Sequence, residues 1–310
     1  MKQASTKRVP TILLLSSAES DHNKAINDLF VRQLNERMAG ICRLEWQNYA
    51  NVGLRMGPGK LEAFIVSDER TLDMFSRVYF KSYFRYHEQA AAISEALAEH
   101  NVPYVGNELH EYIPAYKLSQ MARLVRADLS VPESVYLPRD KYAEHFEQLG
   151  AELGLPFIFK AIDGSTGNFN YLIRTKTALE AALAANPVRH FVAQRFIPNE
   201  ADLRVLIVGG KIRLIIERRR TDPNTHLNNT SKGAKARLVS VGVLDASLRK
   251  VALRAVQTMK RDVGGVDLMV EQGTERPYIL EVNASPQIGS GAFTAEKLDV
   301  FADYFKELAS

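Results

Sequence analysis

The stretch that decides the fold is GVDLMVEQGTERPYILEVNASP, residues 265–286. Apolar runs at 265–270 and 278–282 flank a polar turn over 272–276, the pattern of two paired strands. Asp267 stands inside the first run between Val266 and Leu268, although aspartate is disfavoured in strand interiors. Glu281 and Asn283 lie two apart on the second, so their side chains share a face. Two carboxylates and an amide oxygen converging from one hairpin suit Mg²⁺, which takes oxygen ligands and leaves positions for phosphate oxygens. A half-buried sheet with a polar outer face would explain Glu281 and Asn283, but it gives no reason for Asp267.

Upstream, residues 202–220 read DLRVLIVGGKIRLIIERRR. Two β-type runs flank Gly209-Gly210, a two-residue hairpin signal. Alternation places Arg204 on the face of Leu206 and Val208. Three consecutive arginines, Arg218, Arg219 and Arg220, cannot all enter one site, so one or two are expected to face inward. Further back, residues 156–173 read PFIFKAIDGSTGNFNYLI. An apolar strand ends in Lys160, the small residues Gly164, Ser165, Thr166 and Gly167 follow, and a second strand starts near Asn170. Such a loop turns backbone N–H groups toward an anion, and a lysine on the preceding strand adds a fixed charge. A plain hairpin turn with an exposed lysine is the alternative. Residues 190–197 form another strand, broken at 198–200.

The first third alternates strand and helix patterns: strands at 11–15, 41–46, 63–66, 78–80 and 102–105, helices over 26–38 and 88–100. That order predicts a parallel sheet with helices on its faces. Residues 51–60, with three glycines and a proline, lack phosphate-loop spacing and read as a surface loop. At the end of the 78–80 strand, Lys81 and Arg85 are placed to point toward a cleft and meet a substrate carboxylate, with solvated loop charges as the alternative. A connector helix over 115–127 is expected to bury Leu118, Met121, Ala122 and Val125, and Asp140 to cap a helix over 141–153.

Composition narrows the function classes. At 46% hydrophobic and 25% charged, the 310-residue chain has enough apolar material to bury a core. The net charge of +4 is small and its basic residues are dispersed, which argues against nucleic acid as a partner. Cys42 is the single cysteine, so neither an intrachain disulfide nor a thiol-rich metal site can form. The N-terminal ten residues lack the apolar core of a secretion signal, no apolar run approaches a membrane span, and a cytoplasmic protein is expected.

Taken in order, Lys117, Lys160 with its glycine loop, Gln194 to Ile197, Asp202 to Arg204, the IERR and GVDL stretches and LEVNASP resemble the ATP-grasp superfamily over about the last two-thirds of the chain. The likeness is to the branch of ribosomal-protein glutamate ligases and glutathione synthetases. It implies a mixed α/β fold: an N-terminal parallel α/β domain at 1–113 on the substrate side, a central lobe at 114–198 with a mobile loop, and a C-terminal lobe at 199–310 with the metal site. It also implies ATP and Mg²⁺, with Mn²⁺ as an alternative ion. By the resemblance, Lys117 and Lys160 hold ATP phosphates, and Gly164, Ser165, Thr166 and Gly167 close over them. Gln194, Arg195, Phe196 and Ile197 match the strand at adenine, and Asp202 the acid at the ribose. Arg204, Arg218 and one of Asn228 or Asn229 match the groups that steady phosphoryl and acyl-phosphate oxygens; Asp267, Glu281 and Asn283 match the metal ligands. Counting forward from Arg218 selects Asn228, and counting back from Gly233 selects Asn229. Phe169 stands where the family carries a further glycine, Asn170 where it carries a small apolar residue, and the linker at 198–201 is short. The implied activity is a carboxylate–amine ligase working through an acyl phosphate. A small-molecule kinase of the same fold and a nucleotide-binding regulatory protein are the alternatives. The partners implied are small-molecule or peptide acids and amines, with a homo-oligomer left open and no membrane.

Overall fold

A computed structural model describes residues 9–310 except 112, 114, 115, 165, 166, 223, 224, 231 and 232, and for Val243 the backbone alone. The chain opens with β1 (Thr11–Ser16), α1 (Asp21–Met38), β2 (Arg43–Gln47), β3 (Val52–Gly57), β4 (Lys60–Ile65), β5 (Arg77–Lys81), α2 (His87–Glu99), β6 (Tyr104–Val105) and α3 (Asn107–His110). There follow α4 (Lys117–Arg126), β7 (Ser134–Val135), α5 (Phe146–Leu153), β8 (Phe157–Ala161), β9 (Asn170–Ile173), α6 (Lys176–Ala184) and β10 (Phe191–Arg195). The last stretch holds β11 (Ala201–Val208), β12 (Lys211–Arg219), β13 (Lys235–Val239), α7 (Ala246–Thr258), β14 (Val263–Val270), β15 (Pro277–Asn283) and α8 (Thr294–Ala309).

The first unit is a parallel sheet in the order β2-β1-β5-β6. β1 is central and buried on both faces, which is why it reads as an unbroken apolar run. Ser20 caps α1 by accepting from Asn23 N at 3.2 Å. The second unit is the antiparallel sheet β7-β10-β8-β9 with α5 and α6. Among the described residues its core draws on Val135 to Ala193 alone, with Phe159 and Phe191 stacked at 4.4 Å. The third is the antiparallel sheet β13-β12-β11-β14-β15. Gly209 and Gly210 make its tight turn at φ +59° and +71°, a conformation open to glycine without steric cost.

The two faces of this third sheet do different work. Val205, Ile207, Ile215, Val266, Leu268 and Val282 pack on α7. On the other face, Leu206, Val208, Leu214 and Ile216 join Ile12, Leu14, Phe30 and Tyr79 of the first unit and Phe301 and Phe305 of α8. The C-terminal helix therefore shares a core with the N-terminal unit.

Three local expectations fail. Residues 52–65 form the hairpin β3/β4 where a loop was expected at 51–60; the turn at 58–59 lies between two runs that alternate well enough to pair. In α4 the buried residues are Gln120 and Leu124, and Val125 is exposed. Gln120 takes a packing position because its amide bonds both N–H and C=O of Val282, each at 2.8 Å. Asp140 lies in a 3₁₀ turn, and the helix begins later, at Phe146.

The shared core predicts that Phe301→Ala, at a side chain with no exposure, costs about 3–5 kcal/mol in urea unfolding. A loss under about 1 kcal/mol would mean that this core does not join the units.

Candidate active site

A cleft of about 410 Å³ lies between the second and third units. Its floor is built by strand register. Across the sheet, Arg204 of β11 is the direct partner of Asp267 on β14, and Asp267 of Glu281 on β15. Two residues along β11, Asp202 is the direct partner of Arg218 on β12. Alternation puts Asp202 and Arg204 on the face that continues into Leu206 and Val208, so one strand face is charged in the cleft and apolar in the core.

These groups form one ion cluster. Arg204 grips Asp267 with two bonds of 2.7 Å, the bidentate fork that guanidinium geometry favours. Arg218 donates to Asp202 at 2.6 Å and lies 3.2 Å from Asp267. Burial raises the Asp267 carboxyl, but Arg204 and Arg218 outweigh it and hold it down at about 2. Burial dominates at Asp202, which touches one arginine and sits beside the charge of Asp267, and pushes it up to about 6. Each guanidinium keeps one Nη without a protein partner among the described residues.

The lysines come from both sides of the cleft: Lys160 from β8 of the second unit, and Lys117 from α4, which packs on the third sheet through Leu124 and Gln120. Lys160 Nζ donates to Gln194 Oε1 at 2.8 Å, and Gln194 in turn donates to Ser134. Burial, reinforced by the charge of Lys117 and opposed by Glu281, draws Lys160 down to about 8. Lys117, at the start of α4, donates to Gly164 O and lies 3.9 Å from Glu281.

The sites expected from the sequence converge. Lys117, Lys160, Gly164, Gly167, Gln194, Arg195, Phe196, Ile197, Asp202, Arg204, Arg218, Asn228, Asn229, Asp267, Glu281 and Asn283 all line this cleft. Ser165 and Thr166 lie outside the described residues. Asp202 faces Arg218 as a counter-ion, and nothing else among the described residues donates to its carboxylate. Asn228 is buried and committed to Asn199 and the Arg220 backbone, whereas the Asn229 amide lies against Gly167. Of the three arginines, Arg218 enters the cleft, Arg219 pairs outside with Glu200, and Arg220 bonds Asn199. Phe169 takes φ +55°, a backbone that favours glycine, and Arg189 stacks 3.7 Å over its ring. Arg85 leaves the cleft and pairs with Glu19 at 2.6 Å on the surface.

Ile158, Met269, Leu280, Asn199 and His226 also line the cleft and were not anticipated. Met269 was legible as the residue two beyond Asp267. Leu280 was not: a bulge pairs Asp267 with Glu281 but Leu268 with Ile279, so Leu280 joins Glu281 on a face that alternation denies it.

The oxygen set fits a divalent cation. Glu281 and Asn283 share the face of Asp267, Asn283 spends its N–H on Gly265 O at 3.2 Å, and its carbonyl oxygen is left to accept. No group of three or more His, Cys, Asp or Glu that could hold a metal exists among the described residues. A partial oxygen set completed by phosphates and water is the arrangement Mg²⁺ favours.

The sheet order and the cleft define an ATP-grasp protein, and the comparisons agree. The profile of the RimK-like ATP-grasp domain matches residues 115–301, and the chain belongs to that family. A probable alpha-L-glutamate ligase of Serratia proteamaculans is 30% identical over 205 residues, 61% of this chain and 66% of the relative. A ribosomal protein bS6–L-glutamate ligase of Shigella boydii is 31% identical over 176 residues, 55% of each chain. The chain thus spans between about half and two thirds of the length of these relatives. In fold, it superposes on the ATP-grasp ligase PsnB in complex with a minimal precursor at a TM-score of 0.69 and 16% identity, covering 98% of this chain and 100% of the other. D-alanyl-alanine synthetase A of Vibrio cholerae gives 0.66 and 16%, with 97% of each covered.

Asp267 is the shared partner of both arginines, so Asp267→Asn is expected to cost about 3 kcal/mol in urea unfolding, because it strands buried guanidinium charge. Asp202→Asn, which leaves Arg218 its contact with Asp267, is expected to cost about 1 kcal/mol. The reverse order would remove Asp267 from the centre of the cluster.

Proposed function

We propose that this chain is an ATP- and Mg²⁺-dependent carboxylate–amine ligase. The observation that carries the reading is the composition of the cleft: Lys160 on one side and Lys117 on the other, over a floor of three carboxylates and two arginines. Lys117 and Lys160 bind nucleotide phosphates, with Ile158, Met269 and Leu280 as the apolar contacts of the base. Asp267, Glu281 and Asn283 would hold Mg²⁺, which offsets phosphate charge when bound.

In the reaction, a substrate carboxylate oxygen attacks the γ-phosphorus of ATP, the bond to the β-phosphate bridging oxygen breaks, and ADP leaves. An amine then attacks the acyl carbon; the carbon–oxygen bond to phosphate breaks, and the amine proton departs with phosphate. The Nη groups of Arg204 and Arg218 that have no partner among the described residues would donate to the oxygens that gain charge. Positioning supplies much of the rate, as in phosphoryl transfer generally. The names of the glutamate-ligase relatives support an amino acid as the amine and a peptide or protein as the acid.

The test is ADP release across a panel of amino acids and peptides. ADP is expected to appear only with an acid present, hydroxylamine to trap a hydroxamate, and Glu281→Gln to lower turnover at least a hundredfold, about 2.7 kcal/mol of barrier. ADP release that ignores every acid would overturn the ligase reading, and a stable phosphorylated product would make the protein a kinase.

A further inference from the structure

The hairpin that carries Glu281 and Asn283 is sealed along its outer edge from α4. β15 is the last strand of the third sheet, and the outward N–H and C=O groups of an edge strand have no neighbouring strand to bond. At Val282 the place of that neighbour is taken by Gln120. Its Nε2 donates to Val282 O and its Oε1 accepts from Val282 N, each at 2.8 Å. A side-chain amide carries the same donor and acceptor as a peptide group, so Gln120 supplies one rung of the missing ladder. Arg261 adds a second donor to Val282 O, and Ile279 N donates to Ser130 O, just past α4, at 2.8 Å.

The rung joins two parts of the site. Val282 lies between Glu281 and Asn283, so a shift of its peptide groups moves both cation ligands of β15. Lys117 stands three positions before Gln120 on the same side of α4, and its Nζ lies 3.9 Å from Glu281 Oε2. Gln120 itself is 3% exposed and does not line the cleft. Leu124 packs α4 on the same sheet, but apolar burial is non-directional and does not fix where the helix lies along the strand. Two opposed hydrogen bonds do fix it, because they weaken steeply with distance and angle. Groups that grip phosphate and metal need placement to within about 0.5 Å.

We propose that Gln120 is a positioning residue: its two bonds to Val282 set Lys117 against Glu281 and Asn283, so that the lysine and the cation meet the nucleotide's phosphates together. The inference rests on the ligase reading above, in which Lys117 binds phosphate and β15 the cation. It adds a residue that touches neither. It also gives a reason for a glutamine on the packing face of the helix, since no apolar side chain could hold both groups of Val282.

The experiment measures AMP-PNP affinity of the full chain by calorimetry, once with Mg²⁺ and once with EDTA. The ratio of the two dissociation constants is the coupling between cation and nucleotide, expected at about thirtyfold in the wild type. Gln120→Met is close in volume and lacks both bonds; Gln120→Asn keeps the amide one carbon short. Each is expected to lower the ratio about tenfold. Affinity in EDTA is expected to change less than about threefold, because without the cation the spacing has nothing to join. Leu124→Ala loosens the same helix and lowers the melting temperature but leaves the two bonds, so it is expected to keep the wild-type ratio within about twofold. The assignment falls if the glutamine variants keep the wild-type ratio. It falls equally if Leu124→Ala lowers the ratio as far as they do, since the cause would then be helix stability. Should Gln120→Met fail to fold, Gln120→Asn decides alone. A wild type whose AMP-PNP affinity ignores Mg²⁺ would overturn the metal assignment of the ligase reading, and this inference with it.

Discussion

The constraint on which the cleft depends is the ion cluster of Arg204, Asp267, Arg218 and Asp202. Two positive and two negative groups leave water together, and such a set holds only if each charge meets its partner with good geometry. Each of the two principal pairs is also a direct cross-strand register pair. A slip of one residue would turn the charges toward α7 and the leucines and isoleucines of that helix's core toward the cleft. Electrostatics and hydrophobic burial thus demand the same register.

That register sets the order of functions along the sheet. Toward α8 the cleft face becomes the apolar core shared with the N-terminal unit; toward β15 it presents Glu281 and Asn283. The cluster sits at the boundary, where its carboxylates fix both arginines and one Nη of each has no protein partner among the described residues. The opposite wall belongs to a lobe whose core is its own. Lys160 is therefore carried on a lobe that shares no hydrophobic core with the floor among the described residues.

Much of this was legible in the sequence. Asp267 betrayed itself as a carboxylate inside an apolar strand, Glu281 and Asn283 by their spacing of two, and Gly209-Gly210 by turn chemistry, because all three are consequences of local backbone geometry. The buried face of α4 was misread because Gln120 packs as a polar residue through two bonds to a strand 162 positions away. Leu280 was missed because a bulge depends on the partner strand. Phe169 was seen as a departure, but the left-handed backbone that explains the family's glycine belongs to the folded loop.

The sequence by itself determined the strands that carry the site, the order of the motifs and the residue types that can grip phosphate and metal, since periodicity and chemistry are properties of neighbours along the chain. Only the tertiary structure decided that Asp202 faces Arg218 and that Asp267 answers two arginines. Those facts concern side chains brought together from distant positions, where burial removes the water that would otherwise satisfy each group and makes its partner, or the lack of one, matter.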